Sequence, residues 1–99
     1  MTIEILYFEG CPSWRVALER TRSALARARL DATVGTRAVE TMEEAARAGF
    51  RGSPTILVDG VDPFAGDAGP VAFACRVYHT DSGPQGSPTV DQLVAALTR

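Results

Sequence analysis

The hydrophobic pattern of the chain begins with a strand-like segment and continues with a helix-like one. Residues 2–8 (TIEILYF) are rich in β-branched and aromatic side chains and predict a buried strand that ends before Gly10. Residues 12–30 then repeat apolar side chains at helical spacing, starting from Trp14. Pro12 suits the first turn of this helix, because its missing N–H would have no partner there. The sequence therefore predicts a strand followed directly by a helix.

The next segments repeat the same order of strand and helix. Residues 32–39 (ATVGTRAV) predict a second, weaker strand. Residues 41–50 predict a second helix, because Thr41 and Glu44 form a capping-box pattern and Gly49 supplies a stop signal. This repetition is typical of an α/β domain.

The second half of the chain predicts two more strands and one more helix. Residues 54–60 predict a third strand, residues 60–72 a loop rich in Gly and Pro, and residues 72–78 a fourth strand. Residues 79–86 predict another loop, and the Ser-Pro pair at 87–88 opens a last helix.

The order β-α-β-α-β-β-α predicts one α/β domain over residues 1–99, with a four-stranded mixed sheet and helices on both faces. Alternating strands and helices favour parallel pairing, which would include the third strand, whereas the last two strands are close enough in sequence to pair antiparallel. In the expected sheet order, the first strand lies beside the third and the third beside the fourth.

Composition and charge narrow the function classes. The chain is 45% hydrophobic and 22% charged, which indicates a globular domain, and its net charge of −2 argues against nucleic-acid binding. The first residues lack a positive region and a cleavage site, and no apolar run is long enough for a membrane span. We therefore predict a cytoplasmic protein without membrane contact. In a reducing compartment, two cysteines are more often reactive or metal-binding than structural.

Cys11 stands at the junction of the first strand and the first helix. As the N-cap of that helix it would meet unpaired backbone N–H groups and the positive end of the helix dipole, which stabilise a thiolate. We interpret Cys11 as a nucleophilic thiolate. The alternative is a small buried cysteine that ends a strand.

A second candidate segment is residues 49–60 (GFRGSPTILVDG), in which Ser53 and Pro54 lead into the third strand. Proline cannot donate within a strand ladder and therefore belongs at the strand entrance. An X–Pro bond adopts the cis form at a cost of only about 0.5–1 kcal/mol, so cis and trans Ser53–Pro54 are both open.

These two segments together resemble the thioredoxin-like superfamily, and the element order matches its minimal core over nearly the whole chain. The resemblance implies a minimal thioredoxin-like fold with a cis Pro54 lying against Cys11, and a Ser53 backbone that binds an extended thiol substrate. It also makes Pro12 and Trp14 candidate substrate-binding residues. More narrowly, GCPSW, GSPTILVDG and CRVY resemble small bacterial thioredoxin-family proteins, some of which carry an alkylmercury-lyase label.

The sequence departs from the dithiol motif at Trp14, which stands where the second cysteine is expected. Trp14 is interpreted as part of the core or of a pocket wall, with an aromatic lid as the alternative. The thiol that resolves a mixed disulfide at Cys11 is then either Cys75 or an external thiol. Cys75 lies in the predicted fourth strand, one strand removed from Cys11. The alternative interpretation of Cys75 is a buried residue without a chemical role.

The main functional hypothesis is a thiol-dependent redox protein with catalytic Cys11 and Cys75. Its partner is a low-molecular-weight thiol or a protein thiol or disulfide, and no cofactor and no resident metal are predicted. His79, the only histidine, is interpreted as solvated rather than as a base near Cys75, and Arg76 as part of a surface ion pair rather than an anion site.

Two rival hypotheses remain. One is an alkylmercury-lyase-like or soft-metal protein that binds mercury through its thiolates. The resemblance implies an aspartate three residues after the first cysteine, but Trp14 occupies that position. The other rival is a thioredoxin-fold binding module without catalysis. Other aspartates could replace the missing acid, and the sequence selects none of them: Asp59, Asp62, Asp67 and Asp81.

Overall fold

The computed structural model of the protein describes residues 1–67 and 69–99. The helices are α1 (Ser13–Ala28), α2 (Met42–Ala48) and α3 (Val90–Leu97), with a short 3-10 turn at Ala65–Asp67. The strands are β1 (Thr2–Tyr7), β2 (Thr33–Ala38), β3 (Arg51–Ser53), β4 (Thr55–Val58), β5 (Ala72–Cys75), β6 (Tyr78–Thr80) and β7 (Gly83–Gln85). None of the helices in the described residues combines the length and apolar character that crossing a membrane requires.

The central sheet has three strands in the order β2-β1-β4. β1 and β2 run parallel in an uninterrupted register, and β4 runs antiparallel to β1, with Ile5 opposite Ile56. The expected neighbourhood of the first and third strands is confirmed. The two strands were expected to be parallel, and this prediction is wrong. A parallel strand needs a crossover that returns the chain to the start of β1, whereas β4 follows β3 directly after Pro54.

The prediction of one four-stranded sheet is also wrong, since the described strands form sheets of three, two and two strands. β5 pairs in parallel with β3, and not with β4, so that Ser53 lies opposite Cys75. Pro54 separates β3 from β4 and has no N–H to continue the ladder. The predicted fourth strand ends at Cys75, and β6 and β7 form an antiparallel hairpin within the predicted loop 79–86.

The core is divided between the two faces of the central sheet. Ile3 and Ile5 of β1 pack with Ala17 of α1 and Leu93 of α3 in one cluster. The other face carries a second cluster that includes Leu6 with Val39, Ala45 and Phe50. Alternate residues of β1 therefore supply two cores, and α1 and α3 cover one face while α2 covers the other.

The helix ends correct two sequence expectations. The N-cap of α1 is Pro12, so Cys11 lies just outside the cap position predicted for it. The N-cap of α3 is Thr89, which exchanges capping hydrogen bonds with Gln92, whereas the preceding Ser-Pro pair is buried. For α2 the cap residue and the stop are confirmed, but the capping box is only half formed, because the Glu44 side chain accepts from the Glu40 N–H. Its cap Thr41 accepts a hydrogen bond from a backbone N–H in the first turn, and Gly49 ends the helix in the left-handed conformation.

Candidate thiol site

Cys11 lies in the tight turn between β1 and α1. Its backbone N–H donates to the Phe8 carbonyl at 3.3 Å, which folds the chain back at the end of the strand. The side chain is only 3% exposed, and its Sγ donates to the Ser53 carbonyl at 3.5 Å. The thiol predicted to react therefore lies under the surface, directed at the end of β3.

Ser53 joins the elements around the thiol. Its hydroxyl accepts a hydrogen bond from the Phe8 N–H at 3.3 Å, and its carbonyl accepts one from the Arg76 N–H at 3.0 Å as well as the Cys11 thiol. The Ser53–Pro54 bond is cis, which is the isomer that the resemblance implied. Both residues are fully buried. Ser53 therefore determines the position of the Cys11 thiol relative to β1 and β5.

Cys75 is the second of the two cysteines of the chain. It lies opposite Ser53 in the β3–β5 pair, so the carbonyl that accepts from Cys11 belongs to its direct neighbour. Burial, the charge of Cys11 and a hydrogen bond with Cys11, in that order, raise the pKa of the Cys75 thiol. Both cysteines are free, and Cys75 is exposed, so the expectation of a buried Cys75 is wrong. One strand does lie between the two cysteine-bearing segments, but it is β3 and not β4, because Ser53 of β3 bonds to the Cys11 turn and pairs with Cys75.

Aromatic side chains lie next to the two thiols. Phe73 of β5 stacks on Phe8 with ring centroids 5.2 Å apart and contacts Phe50 at a tilted angle. Phe8 belongs to the turn that holds Cys11, and Phe73 precedes Cys75 by two residues. Phe50 is fully buried, whereas Phe73 is 39% exposed. The rings therefore link the two cysteine-bearing segments through an apolar contact that reaches the surface.

Trp14 and Pro12 lie at the start of α1. Trp14 is half-buried and stacks on Tyr7, with ring centroids 4.1 Å apart, and the Arg15 guanidinium lies 5.2 Å from its ring centroid. It belongs to neither core cluster of the described residues. Pro12 is exposed as the cap residue. The position of the missing second cysteine is therefore filled by a surface aromatic stack at the end of β1.

A buried ion pair lies directly after Cys75. Arg76 Nη1 donates to Asp62 Oδ2 at 2.7 Å, and Nη2 donates to the Phe64 carbonyl at 2.9 Å. The two charged side chains are 3% and 7% exposed. The sequence indicated an Arg76 pair at the surface; the pairing is right, but its surface location is wrong. The β5 backbone directs Arg76 inward, opposite to Cys75, and the turn at Asp62 supplies the counter-charge.

Tyr78 connects this ion pair to the cis-proline. Its hydroxyl donates to the Pro54 carbonyl at 2.5 Å, and the Arg76 guanidinium lies 4.5 Å from its ring centroid. Burial is the main cause that raises the pKa of Tyr78, and the Asp62 charge adds to it while Arg76 opposes it. Sequence reasoning did not identify Tyr78 as part of the site. Its only signal was the position two residues after the arginine in a strand-like run.

The aspartates considered as proton donors occupy other positions. Asp62 is held by the buried arginine, and Asp59 accepts the Thr2 N–H at 2.8 Å at the far end of β4. Asp81 is exposed in the β6–β7 turn, and the side chain of Asp67 lies outside what the structure describes. The described aspartates therefore offer no free acid at the thiol pair.

The remaining candidate ligand, His79, is an exposed residue of β6 whose carbonyl accepts a hydrogen bond from Gln92 Nε2 at 2.7 Å. No group of three or more His, Cys, Asp and Glu side chains that could hold a metal ion occurs among the described residues. An open cavity of about 550 Å³ lies beside β2 and α2 and has none of the thiol-site residues in its lining, which consists of Arg37, Ala38, Val39, Glu40, Glu44, Arg47 and Ala48.

No protein-family model matches the chain, and no curated protein or solved structure matches it either. The thioredoxin-like resemblance therefore stays a prediction from the motifs. The function has to be argued from the geometry of the thiol site.

Proposed function

We propose that the protein is a thioredoxin-like thiol–disulfide exchange protein whose two working thiols are Cys11 and Cys75. The observation that carries this proposal is that both cysteines flank Ser53 at the cis Ser53–Pro54 bond, since the Cys11 thiol donates to the Ser53 carbonyl and Cys75 is the partner of Ser53 in the β3–β5 pair. The pair replaces the adjacent dithiol that the chain lacks.

The net reaction exchanges two electrons between the cysteine pair and a substrate disulfide. One protein thiolate attacks a substrate sulfur, and the displaced half of the substrate leaves as a thiolate that takes up a proton. The second protein thiol then loses a proton and attacks the protein sulfur of the mixed disulfide, which forms the Cys11–Cys75 bond and releases the other half. The substrate is reduced to two thiols, and the protein is oxidised by two electrons.

The surrounding residues have positioning roles in this proposal. The Ser53 carbonyl holds the Cys11 thiol beside β5, and Pro54 shapes the site without competing for a hydrogen bond, since it has no N–H. Pro12 and Trp14 form the exposed rim at the start of α1. Suitable substrates are low-molecular-weight thiols or cysteines of other proteins, in the cytoplasm, where such pairs cycle between thiol and disulfide.

Intact mass spectrometry after mild oxidation, followed by alkylation of the remaining thiols, tests this function. Wild type is expected to lose two hydrogens and to accept no alkyl group, whereas Cys75→Ser should accept one at Cys11 or carry a mixed disulfide there. Two alkyl groups on oxidised wild type, with Cys11 reacting rapidly, would indicate a monothiol site that depends on an external thiol. Two slow alkylations would indicate a binding module and contradict the redox function.

A second candidate function is binding of mercury or another soft metal by the two thiolates, and the position of both cysteines beside Ser53 supports it. Cleavage of a carbon–mercury bond is less well supported, because Asp62 is already paired with Arg76. Titration with Hg(II) should give one-to-one binding that either single cysteine substitution weakens. Equal binding by wild type and Cys75→Ser would contradict a shared site.

A further inference from the structure

We infer that Cys75 is the cysteine that exchanges disulfides with the substrate, and that Cys11 acts inside the protein as the thiol that closes the Cys11–Cys75 bond. This inference rests on the proposed redox function and assigns an order to its two steps. It reverses the order that the sequence indicates, in which Cys11 forms the mixed disulfide and Cys75 resolves it.

The two cysteine sulfurs differ in their accessibility to a substrate. In a thiol–disulfide exchange, the attacking sulfur approaches along the line of the bond that breaks. The rate therefore depends on which protein sulfur the substrate can reach. Cys11 is 3% exposed, and its thiol is directed at the Ser53 carbonyl. Cys75 is exposed on β5. A substrate sulfur therefore meets Cys75 first, because the Cys11 thiol is buried.

The second argument is the packing behind the pair. Cys11 lies in a turn that its backbone N–H closes on the Phe8 carbonyl. The stacked rings of Phe8 and Phe73 join this turn to β5. A substrate bonded to Cys11 would have to find room between these elements, whereas one bonded to Cys75 extends outward. The internal step starts from neighbouring residues, because the Cys11 thiol lies at the Ser53 carbonyl and Cys75 is the strand partner of Ser53.

The chemistry balances in both directions. With oxidised protein, a substrate thiol loses its proton and attacks the Cys75 sulfur, and Cys11 leaves as a thiolate that takes up a proton. A second substrate thiol, also deprotonated, then attacks the substrate sulfur of the mixed disulfide, and Cys75 leaves and takes up a proton. The products are a substrate disulfide and two protein thiols. The raised pKa of Cys75 supports this order, because a thiol of higher pKa is the poorer leaving group and stays bonded to the substrate in the first step.

Peptide mapping of the trapped intermediate tests the inference on unmodified protein. Oxidised wild type is mixed briefly with reduced glutathione and then quenched in denaturant with N-ethylmaleimide at mildly acidic pH, which slows further exchange. Trypsin separates the two cysteines into peptides 1–15 and 52–76, because arginines stand at positions 15, 51 and 76. Glutathione is expected on peptide 52–76 and the maleimide on peptide 1–15, in excess over the reverse pattern by about tenfold or more, since access selects the sulfur that is attacked.

Three outcomes decide the matter. The predicted pattern supports exchange at Cys75. Glutathione on peptide 1–15, or equal amounts on both peptides, would overturn the inference while leaving the two-thiol redox function intact. Oxidised wild type that contains no Cys11–Cys75 disulfide at the start would overturn both.

A matched pair of variants gives an independent readout. Reduced Cys11→Ser and Cys75→Ser are each treated with glutathione disulfide under native conditions, and the mass gain of bound glutathione is followed over time. Cys11→Ser, which keeps the exposed thiol, should react faster by about tenfold or more, because its sulfur is the accessible one. A faster reaction of a folded Cys75→Ser, with circular dichroism as the check on folding, would overturn the inference.

Discussion

Cys11 changes the chemistry of the Cys75 thiol. Cys75 is exposed and yet has a raised pKa, and two of the three causes, the charge and the hydrogen bond, come from Cys11. An exposed cysteine without such a neighbour would titrate near its ordinary value. The raised pKa of Cys75 therefore comes first from burial and then from the charge and hydrogen bonding of Cys11.

Cys11→Ala is expected to lower the pKa of Cys75 toward the ordinary value, because the charge and the hydrogen bond from Cys11 are lost. A lower pKa increases the fraction of Cys75 that is thiolate at neutral pH, so Cys75 should be alkylated faster there. The measurement is the rate of iodoacetamide labelling of peptide 52–76 against pH, in both proteins. Cys11→Ser is the matched control, because a serine keeps a hydrogen-bonding group and removes the charge. An unchanged pH profile in Cys11→Ala would contradict the contact.

The Arg76–Asp62 pair is the second feature at this scale. Asp62→Asn keeps the Oδ1 acceptor for the Phe64 N–H but leaves the buried arginine without a counter-charge. Removing one partner of a buried ion pair typically costs about 3–5 kcal/mol, so a loss of that size in the free energy of unfolding is expected. Chemical denaturation of wild type and variant measures it.

The control for this prediction is the exposed pair between Arg27 and Asp91, whose side chains are 58% and 88% exposed. Asp91→Asn should change the free energy of unfolding by less than about 1 kcal/mol, because solvent screens an exposed pair. Equal losses in Asp62→Asn and Asp91→Asn would show that the Arg76 pair is not buried in solution.

At the scale of elements, the close approach of β3 and β5 determines where Cys75 lies. Gly52 has a φ of +108°, and a Cβ built there would stand 2.9 Å from the Arg76 Cβ and 3.1 Å from the Ala74 carbonyl. Few side chains tolerate that conformation, and the neighbouring atoms belong to the paired strand. Only glycine fits between the two strands at this point.

Gly52→Ala is therefore expected to destabilise the protein by about 1–3 kcal/mol, through backbone strain and displacement of β5. It should also slow the formation of the Cys11–Cys75 disulfide, because β5 carries Cys75. Gly35→Ala in β2 is the matched control, since no atom lies within 4 Å of its Cβ position and its φ is not in the left-handed region. Thermal unfolding measures both variants, and equal stability of the two would contradict the close packing of β3 on β5.

The elements that the sequence predicted well are those with a strong local pattern. β1, α1, β2 and α2 follow from the apolar spacing and the capping residues around them. The β6–β7 hairpin was missed, although Asp81, Ser82 and Gly83 provide turn residues, because the strands on either side are short and half polar. The break between β5 and β6 has no local signal.

At the scale of the whole molecule, the candidate site could be predicted in part. Cys11, Ser53 and Pro54 follow from the resemblance, which implied their proximity and the cis bond that the structure contains. The place of Cys75 could not be predicted, because it depends on β5 pairing with β3, a choice between strands that no local pattern records.

The buried network behind the site shows the same limit. Asp62 lies 14 residues from Arg76 and Pro54 lies 24 residues from Tyr78, so only the folded chain brings these partners together. A charged residue in a strand is normally assigned to the surface, since burial requires a partner that the sequence does not identify. The fold as a whole thus depends on pairings that join its second half to the turn at Cys11.

The most direct test of the account is a redox titration of the wild-type protein in buffers of reduced and oxidised dithiothreitol, with alkylation and intact mass at each ratio. If Cys11 and Cys75 form one pair, both alkylation sites disappear together in a single two-electron transition, without a species that carries one alkyl group. Two sites that persist across the whole range, or that disappear independently of each other, would contradict the claim that these two cysteines form the working site.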